Sequence, residues 1–248
     1  AYDALLARSA AESGIGPLVD GLAVAWSHIG KGSMKDGLKA FDAVAKERGL
    51  AGFAMYHKAL ALASVGDFEG AENIYAEQAA GPMQMTRRGI MAQVQVLSQL
   101  EKNPEALALI ESAFGTDVDA GLAELRAKLA GDQRLPFDLI SGASDGLAEV
   151  FYSVAAALSN ETEADYALLY ARAAEELRPG YEEAILLSAE LLETLKKYDL
   201  AELTYKSVPR ESYAFPIAEL GRADALRAQE KTDAAVEVLD QLAKSYPD

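Results

Sequence analysis

The stretch GASDG at Gly142–Gly146 has the G-x-S-x-G spacing of a nucleophile elbow, with Ser144 as the attacking hydroxyl. Acyl transfer at such a serine needs a strand before it, a helix after it and a histidine further along to take its proton. His28 and His57 both precede Ser144, so the required order is missing. A flexible turn opening a helix is the expectation. GKGS at Gly30–Ser33 has glycines, a lysine and a hydroxyl, the ingredients of a phosphate loop. Their order does not fit G-x-x-x-x-G-K-[ST], and a turn between two helices is expected instead. His28 and His57 could serve as metal ligands or a proton shuttle, but neither has a carboxylate partner at fixed spacing. A half-buried, hydrogen-bonded His28 fits the pattern better. Glu175 with Glu176, and Glu182 with Glu183, pair carboxylates as acid–base chemistry would. Among 39 acidic residues such pairs read as solvated helix faces. Asn160-Glu161-Thr162 has sequon spacing. The residues therefore predict no catalytic site, no metal site and no cofactor.

The elements around these residues are helical. The chain of 248 residues is half hydrophobic, a quarter charged and poor in proline. Its net charge of -16 excludes a phosphate-binding surface, so no nucleic acid partner is expected, while a basic partner fits. No apolar run reaches the roughly 18 residues of a membrane span, so no direct membrane insertion is expected. The absence of cysteine excludes disulfides and thiolate sites and suits either the cytoplasm or an exported compartment. The first residues carry neither an initiator Met nor a signal peptide, and the last follow a helix closely. A longer parent protein is expected on that ground.

A repeat organises the chain. Small or compact residues recur at Ala25, Ala59, Val94, Ala155, Ala189 and Ala223, at intervals of 34, 35, 61, 34 and 34. A second series, Gly37, Ala71, Ala106, Ala167, Ala201 and Ala235, keeps the same intervals. Small side chains at fixed places let paired helices approach closely. Four residues beyond each of the second series come Phe41, Tyr75, Ile110, Ala171, Tyr205 and Leu239, mostly large groups that fill the space between repeats. Asp67 is expected to cap a helix after Gly66. Asn103-Pro104-Glu105 reads as cap, first-turn proline and favourable acid. Asp199 and Glu202 have capping-box spacing. Pro179 and Pro247 close second helices.

This pattern resembles the tetratricopeptide repeat (TPR), two helices per 34 residues with small residues at the contacts, an aromatic in the second helix and a closing proline. The resemblance covers residues 18–114 and 147–248, although the family's Trp-Leu-Gly signature is mostly absent. It is nearest to long acidic TPR proteins of proteobacteria, many of them exported. It implies an all-α, right-handed α-solenoid of about six repeats. Residues 1–17 would end a preceding repeat, 18–114 hold three repeats, 115–146 form a helical and loop insertion, and 147–248 hold three more. In the insertion Leu122, Leu125 and Leu129 share a helical face, and RLPFDLI is expected to pack as a loop.

In the family, inward first-helix residues line the ligand groove. Carried over, these are Trp26, Tyr56, Arg88, Met91, Gln95, Gln99, Tyr152, Asn160, Glu183, Glu190, Glu193, Asp224 and Arg227. Trp, Tyr, Met and Arg are types enriched at binding hot spots. The family's clamp for acidic C-terminal peptides uses Lys, Asn and Arg at such places, whereas the last two repeats here carry Glu183, Glu190, Glu193 and Asp224. The expected function is a non-catalytic scaffold whose groove holds a protein or peptide partner bearing Lys or Arg. Terminal repeats with uncovered apolar faces offer a route to a homo-oligomer. The alternatives are a structural spacer in a cell-envelope assembly and the regulatory part of a larger enzyme.

Overall fold

A computed structural model describes residues 2–3, 15–78, 86–115, 120–159 and 164–246. Along the described residues run thirteen helices and no strand. They are α1 (Pro17–Gly30), α2 (Met34–Val44), α3 (Ala51–Ser64), α4 (Phe68–Gln78), α5 (Arg87–Gln99), α6 (Asn103–Phe114) and α7 (Ala120–Ala130). Then follow α8 (Ala143–Leu158), α9 (Ala164–Leu177), α10 (Glu182–Thr194), α11 (Tyr198–Tyr205), α12 (Phe215–Ala228) and α13 (Thr232–Ser245). Most of residues 1–17, expected to end an earlier repeat, lie outside the described residues, as does Pro247.

The chain forms two compact units, Ala1–Leu147 and Ala148–Asp248. Consecutive helices pack on one another from α1 to α7 in the first unit and from α9 to α13 in the second, and alternate helices touch as well: α1 with α3 and α3 with α5 in the first unit, α10 with α12 in the second. The protein is all-α, with helices packed sequentially in pairs.

The backbone repeats as faithfully as the sequence. The turns joining paired helices place Gly32, Gly66, Glu101, Lys196 and Glu230, all at one register, in the left-handed region with φ between 58° and 84°. Each turn carries the same six-to-one hydrogen bond, in which the next residue's N–H reaches back across the helix end. Ser33 donates to the carbonyl of His28, Asp67 to Leu62, Lys102 to Leu97, Lys197 to Leu192 and Lys231 to Leu226, at 2.8–3.0 Å. This Schellman geometry satisfies carbonyls that the helix end leaves without partners. Glycine takes the left-handed conformation freely, whereas a residue with a Cβ meets its own carbonyl there. GKGS is thus a helix-joining turn, with Gly32 as its left-handed residue.

The small residues sit where helices meet. Ala25, Ala59, Val94, Ala155 and Ala189 are completely buried, as are Ala71, Ala106, Ala167 and Ala201. A Cβ on Gly37 would lie 2.5 Å from the Ile29 side chain and 3.0 Å from the Ala25 carbonyl oxygen, so α1 and α2 pack at glycine distance. Of the residues four further on, Phe41, Tyr75, Ile110, Ala171 and Tyr205 are buried and Leu239 alone is exposed, at 41%.

Local capping follows the sequence at one place and departs from it at two. Asp67 Oδ1 accepts from Gly70 N–H at 2.9 Å, as an N-cap does. Asn103 does not cap α6. Its Nδ2 donates to Asp132 Oδ1 and to the Gln133 carbonyl, because the segment after α7 lies within reach. Asp199 and Glu202 form no capping box: Glu202 instead accepts from Gln229 Nε2 at 3.0 Å and Lys231 Nζ at 3.3 Å, two residues of the next helix pair.

Candidate partner-binding face

Residues 88, 91, 95, 98 and 99 lie on one face of α5, by the three- and four-residue steps of a helix. That face is occupied, and the occupant is the chain itself. The irregular segment from Asp132 to Ile140 lies against it. Leu135 N–H donates to Ser98 Oγ at 2.8 Å, and Gln99 Nε2 donates to the Leu135 carbonyl. Gln95 Nε2 donates to Asp138 Oδ1 at 2.7 Å, while Asp138 N–H donates to Gln95 Oε1 at 3.2 Å. A primary amide carries both donors and an acceptor, which suits glutamine to holding a segment that has no helix or sheet of its own. Leu135, Leu139 and Ile140 are buried, Leu135 among Ile90, Val94, Leu97, Leu122 and Leu129, and the Phe137 ring lies 6.3 Å from Phe68.

The same face of α1 is covered further along the segment. Trp26 is completely buried, and Gly146 lies against its indole so closely that a Cβ there would fall 2.2 Å from the ring. The last glycine of GASDG is required by this approach. Ser144 sits in the first turn of α8, with irregular backbone rather than a strand before it. Trp26 Nε1 donates to His57 Nδ1 at 3.2 Å, and Phe41 stacks on the same imidazole at 6.5 Å. An Nδ1 that accepts leaves the proton of the neutral ring on Nε2. His57 is completely buried and works as core; His28 is half-buried. Tyr56 is buried beside His57, Arg88 is buried, and Met91 is half-buried against the Leu97 and Ile110 cluster. In the first unit, then, Trp26, Gln95 and Gln99 hold the chain's own segment or core, and Tyr56 and Arg88 are buried with them.

In the second unit the corresponding register is open and acidic. Steps of 95 residues carry Arg88, Gln95 and Ser98 of α5 onto Glu183, Glu190 and Glu193 of α10, and a further 34 carries Glu190 onto Asp224 of α12. Glu190, Asp224 and Arg227 are exposed, while Glu183 and Glu193 are half-buried. Their centre is Tyr205 of α11, whose hydroxyl donates to Glu193 Oε2 at 2.9 Å. The Tyr205 ring reaches that point because Gly221 opposite has no side chain; a Cβ there would sit 2.4 Å from the ring. Burial, then the bond to Glu193, then the charges of Glu193, Glu190 and Asp224 push the phenol well above its ordinary range. Although the residue as a whole is exposed, the Glu190 carboxyl lies against protein atoms that keep water from part of it, which raises it, and Glu193 beside it adds to the rise. Glu193 is raised by burial, opposed by the Tyr205 hydrogen bond and reinforced by Asp224. Arg227 answers part of this charge through a 2.9 Å pair with Asp224. Tyr213 donates to Glu183 at 2.8 Å, and Tyr152 packs at 5.2 Å on Tyr181. Asn160 and its sequon lie outside the described residues.

In the sequence Tyr205 reads as filler between repeats, and its hydroxyl at the centre of the acids emerges only from the fold. The signal available is Gly221, sixteen residues after Tyr205, the spacing that also places His57 after Phe41. Among the described residues no group of three histidine or acidic side chains could hold a metal ion. No helix of the described residues is long and apolar enough to cross a membrane.

Paired helices in a 34-residue register, with matching turns and matching contact residues, define a helical-repeat protein. Residues 218–248 match the tetratricopeptide repeat model, so the chain is similar in that segment to a family associated with protein–protein interaction. No curated protein matches the sequence significantly.

Proposed function

We propose that the chain is a non-catalytic binding scaffold of six TPR-like pairs, three in each unit and each set wound as a right-handed solenoid, with α7 and the following segment inserted between residues 115 and 146. Its partner is a protein segment in extended conformation carrying Lys or Arg. The second unit binds it, through Tyr152, Glu183, Glu190, Glu193, Asp224 and Arg227; Asn160 belongs to the same register. In the first unit the equivalent residues serve the intrachain segment.

The observation that carries this reading is the hold of α5 on residues 135–138. There the face engages an irregular backbone through Gln95, Ser98 and Gln99, and α10 presents Glu190, Glu193 and Thr194 at those three positions, with Glu183 nearer the start of the helix accepting from Tyr213. Carboxylates clustered on a half-buried face favour a cationic ligand, which restores the charge balance and steers its approach.

The test is titration of the full chain with a short peptide of alternating Arg and Ala, beside a control with Glu for Arg. Saturable binding that weakens about tenfold in the Glu190→Gln, Asp224→Asn variant, and falls with added salt, is expected. Equal binding of the acidic control, or of the variant, overturns it.

A further inference from the structure

Three side chains of α5 divide the work of holding the segment. Ser98 Oγ accepts the Leu135 N–H at 2.8 Å, and Gln99 Nε2 donates to the Leu135 carbonyl. Gln95 acts twice on one residue: its Oε1 accepts the Asp138 N–H at 3.2 Å, and its Nε2 donates to the Asp138 carboxylate at 2.7 Å. Residue 135 lies toward the C-terminal end of α5 and residue 138 one turn nearer its start, so the segment runs against the helix direction.

On α10 the counterparts of Ser98, Gln99 and Gln95 are Glu193, Thr194 and Glu190. The roles toward a backbone survive the exchange. A carboxylate accepts at both oxygens, so Glu193 takes the Tyr205 hydroxyl on Oε2 and offers Oε1 to an N–H. The exposed Thr194 hydroxyl, which donates to the Glu190 carbonyl at 3.1 Å, is a rotating donor that can turn to a ligand carbonyl as Gln99 Nε2 does. At exposed Glu190 one oxygen keeps the N–H acceptor of Gln95, while the other puts an acceptor where Gln95 has its donor. The N–H partner is unchanged, and the side-chain partner is inverted from a carboxylate to a group that donates. The apolar anchor does not carry over. Leu135 enters among Ile90, Val94 and Leu97, whereas their counterparts Ile185, Ala189 and Leu192 are already packed with Ala214, Ala218 and Ala225.

We propose that α10 reads a two-point motif in its ligand. One point is a Lys or Arg whose own N–H and side chain are both accepted by Glu190. The other, three residues before it, is a residue held by its N–H on Glu193 and its carbonyl on Thr194. The ligand runs from the C-terminal end of α10 toward its start. The side chain at the earlier point is unspecified, because the apolar space below it is filled. This motif rests on the reading of the acidic face as a site for a cationic segment, and adds to it a spacing and a direction.

The probe is an acetylated, amidated peptide, Ser-Ala-Ser-Ala-Arg-Ala-Ser-Ala-Ser, titrated into the full chain and followed by amide chemical shifts. Saturable binding on α10 is expected. An ester oxygen in place of the arginine N–H should weaken it about tenfold, and so should an ester three residues earlier. Esters at the two positions between should change it less than about twofold, and Thr194→Val should weaken it about threefold. A nitroxide on the peptide's N-terminus should broaden the amides of Leu195 and Lys196 more than those of Glu182 and Glu183; one on its C-terminus should do the reverse. A flat ester scan or the opposite gradient of broadening overturns the motif, as does binding of the alternating Arg and Ala peptide without binding of this one. In each of these cases a retained preference for Arg over Glu peptides leaves the acidic face a cationic site. Failure of every Arg peptide to bind overturns both.

Discussion

Gln95 and Asp138 clasp each other twice across 43 residues of sequence, side-chain amide to carboxylate and backbone N–H to side-chain carbonyl. Through this pair a segment without secondary structure of its own is fixed to α5. Replacing Gln95 with Ala strands the Asp138 N–H and removes both bonds. A loss of about 1–3 kcal/mol from the first unit is expected. Amide exchange at Leu135 and Asp138 should quicken more than exchange in α1; equal change in both would contradict the clasp.

Trp26 is the sole tryptophan of the chain, so its fluorescence reports on one place. Gly146→Ala puts a methyl 2.2 Å from the indole and should cost about 1–3 kcal/mol by overpacking. Emission should shift to longer wavelength as the segment lifts and water reaches the ring. An unshifted spectrum with unchanged stability would refute the close approach.

The left-handed positions differ in how well their residues suit them. Lys196 and Glu230 hold φ near 60° with a Cβ, where Gly32 and Gly66 hold it freely. Glu230→Gly should raise stability in denaturant by about 0.5–1 kcal/mol, the relief of Cβ strain outweighing the added freedom of the unfolded chain. Gly66→Ala should lower it by a similar amount.

Glu190 and Glu193 are carboxyls whose folded-state titration is raised. Such a group contributes stability below its unfolded value, near 4.5, and loses that contribution as pH rises through the folded value. Glu190→Gln should therefore be more stable than wild type at neutral pH, with the gap closing on acidification. Denaturant midpoints measured from pH 7 down to pH 4 would show it. A gap that widens toward acid would reverse the sign and the assignment. By the same linkage, a cationic peptide bound at these carboxyls expels protons near their titration. Binding heats in two buffers of unlike ionisation enthalpy should then differ, unless the peptide settles elsewhere.

The helix pairing is legible in the sequence because close helix packing demands small residues at fixed intervals, and Ala25, Ala71, Ala189 and Ala201 obey. The turns are legible where glycine marks them, at Gly32 and Gly66, and hidden where Glu101, Lys196 and Glu230 accept the same φ. The face of the first helices is legible too, but what covers it is not. Gln95 and Trp26 look alike as groove residues whether they meet a partner, water or the chain itself. Their cover, Asp138 and Gly146, lies 43 and 120 residues away. Asn103 and Glu202 are misread for a related reason, since local capping competes with distant partners that only the fold reveals.

The segment that fills the first unit is also the last of that unit to be synthesised. Some fifty residues separate Gln95 from Gly146, so at ~5–20 residues per second the ribosome needs roughly 3–10 s to deliver the cover. During that interval Trp26 and the apolar flank of α5 lack this cover. The nascent chain is then most open to chaperones, and a synonymous codon change that slows translation between residues 99 and 146 would lengthen that exposure without altering one side chain.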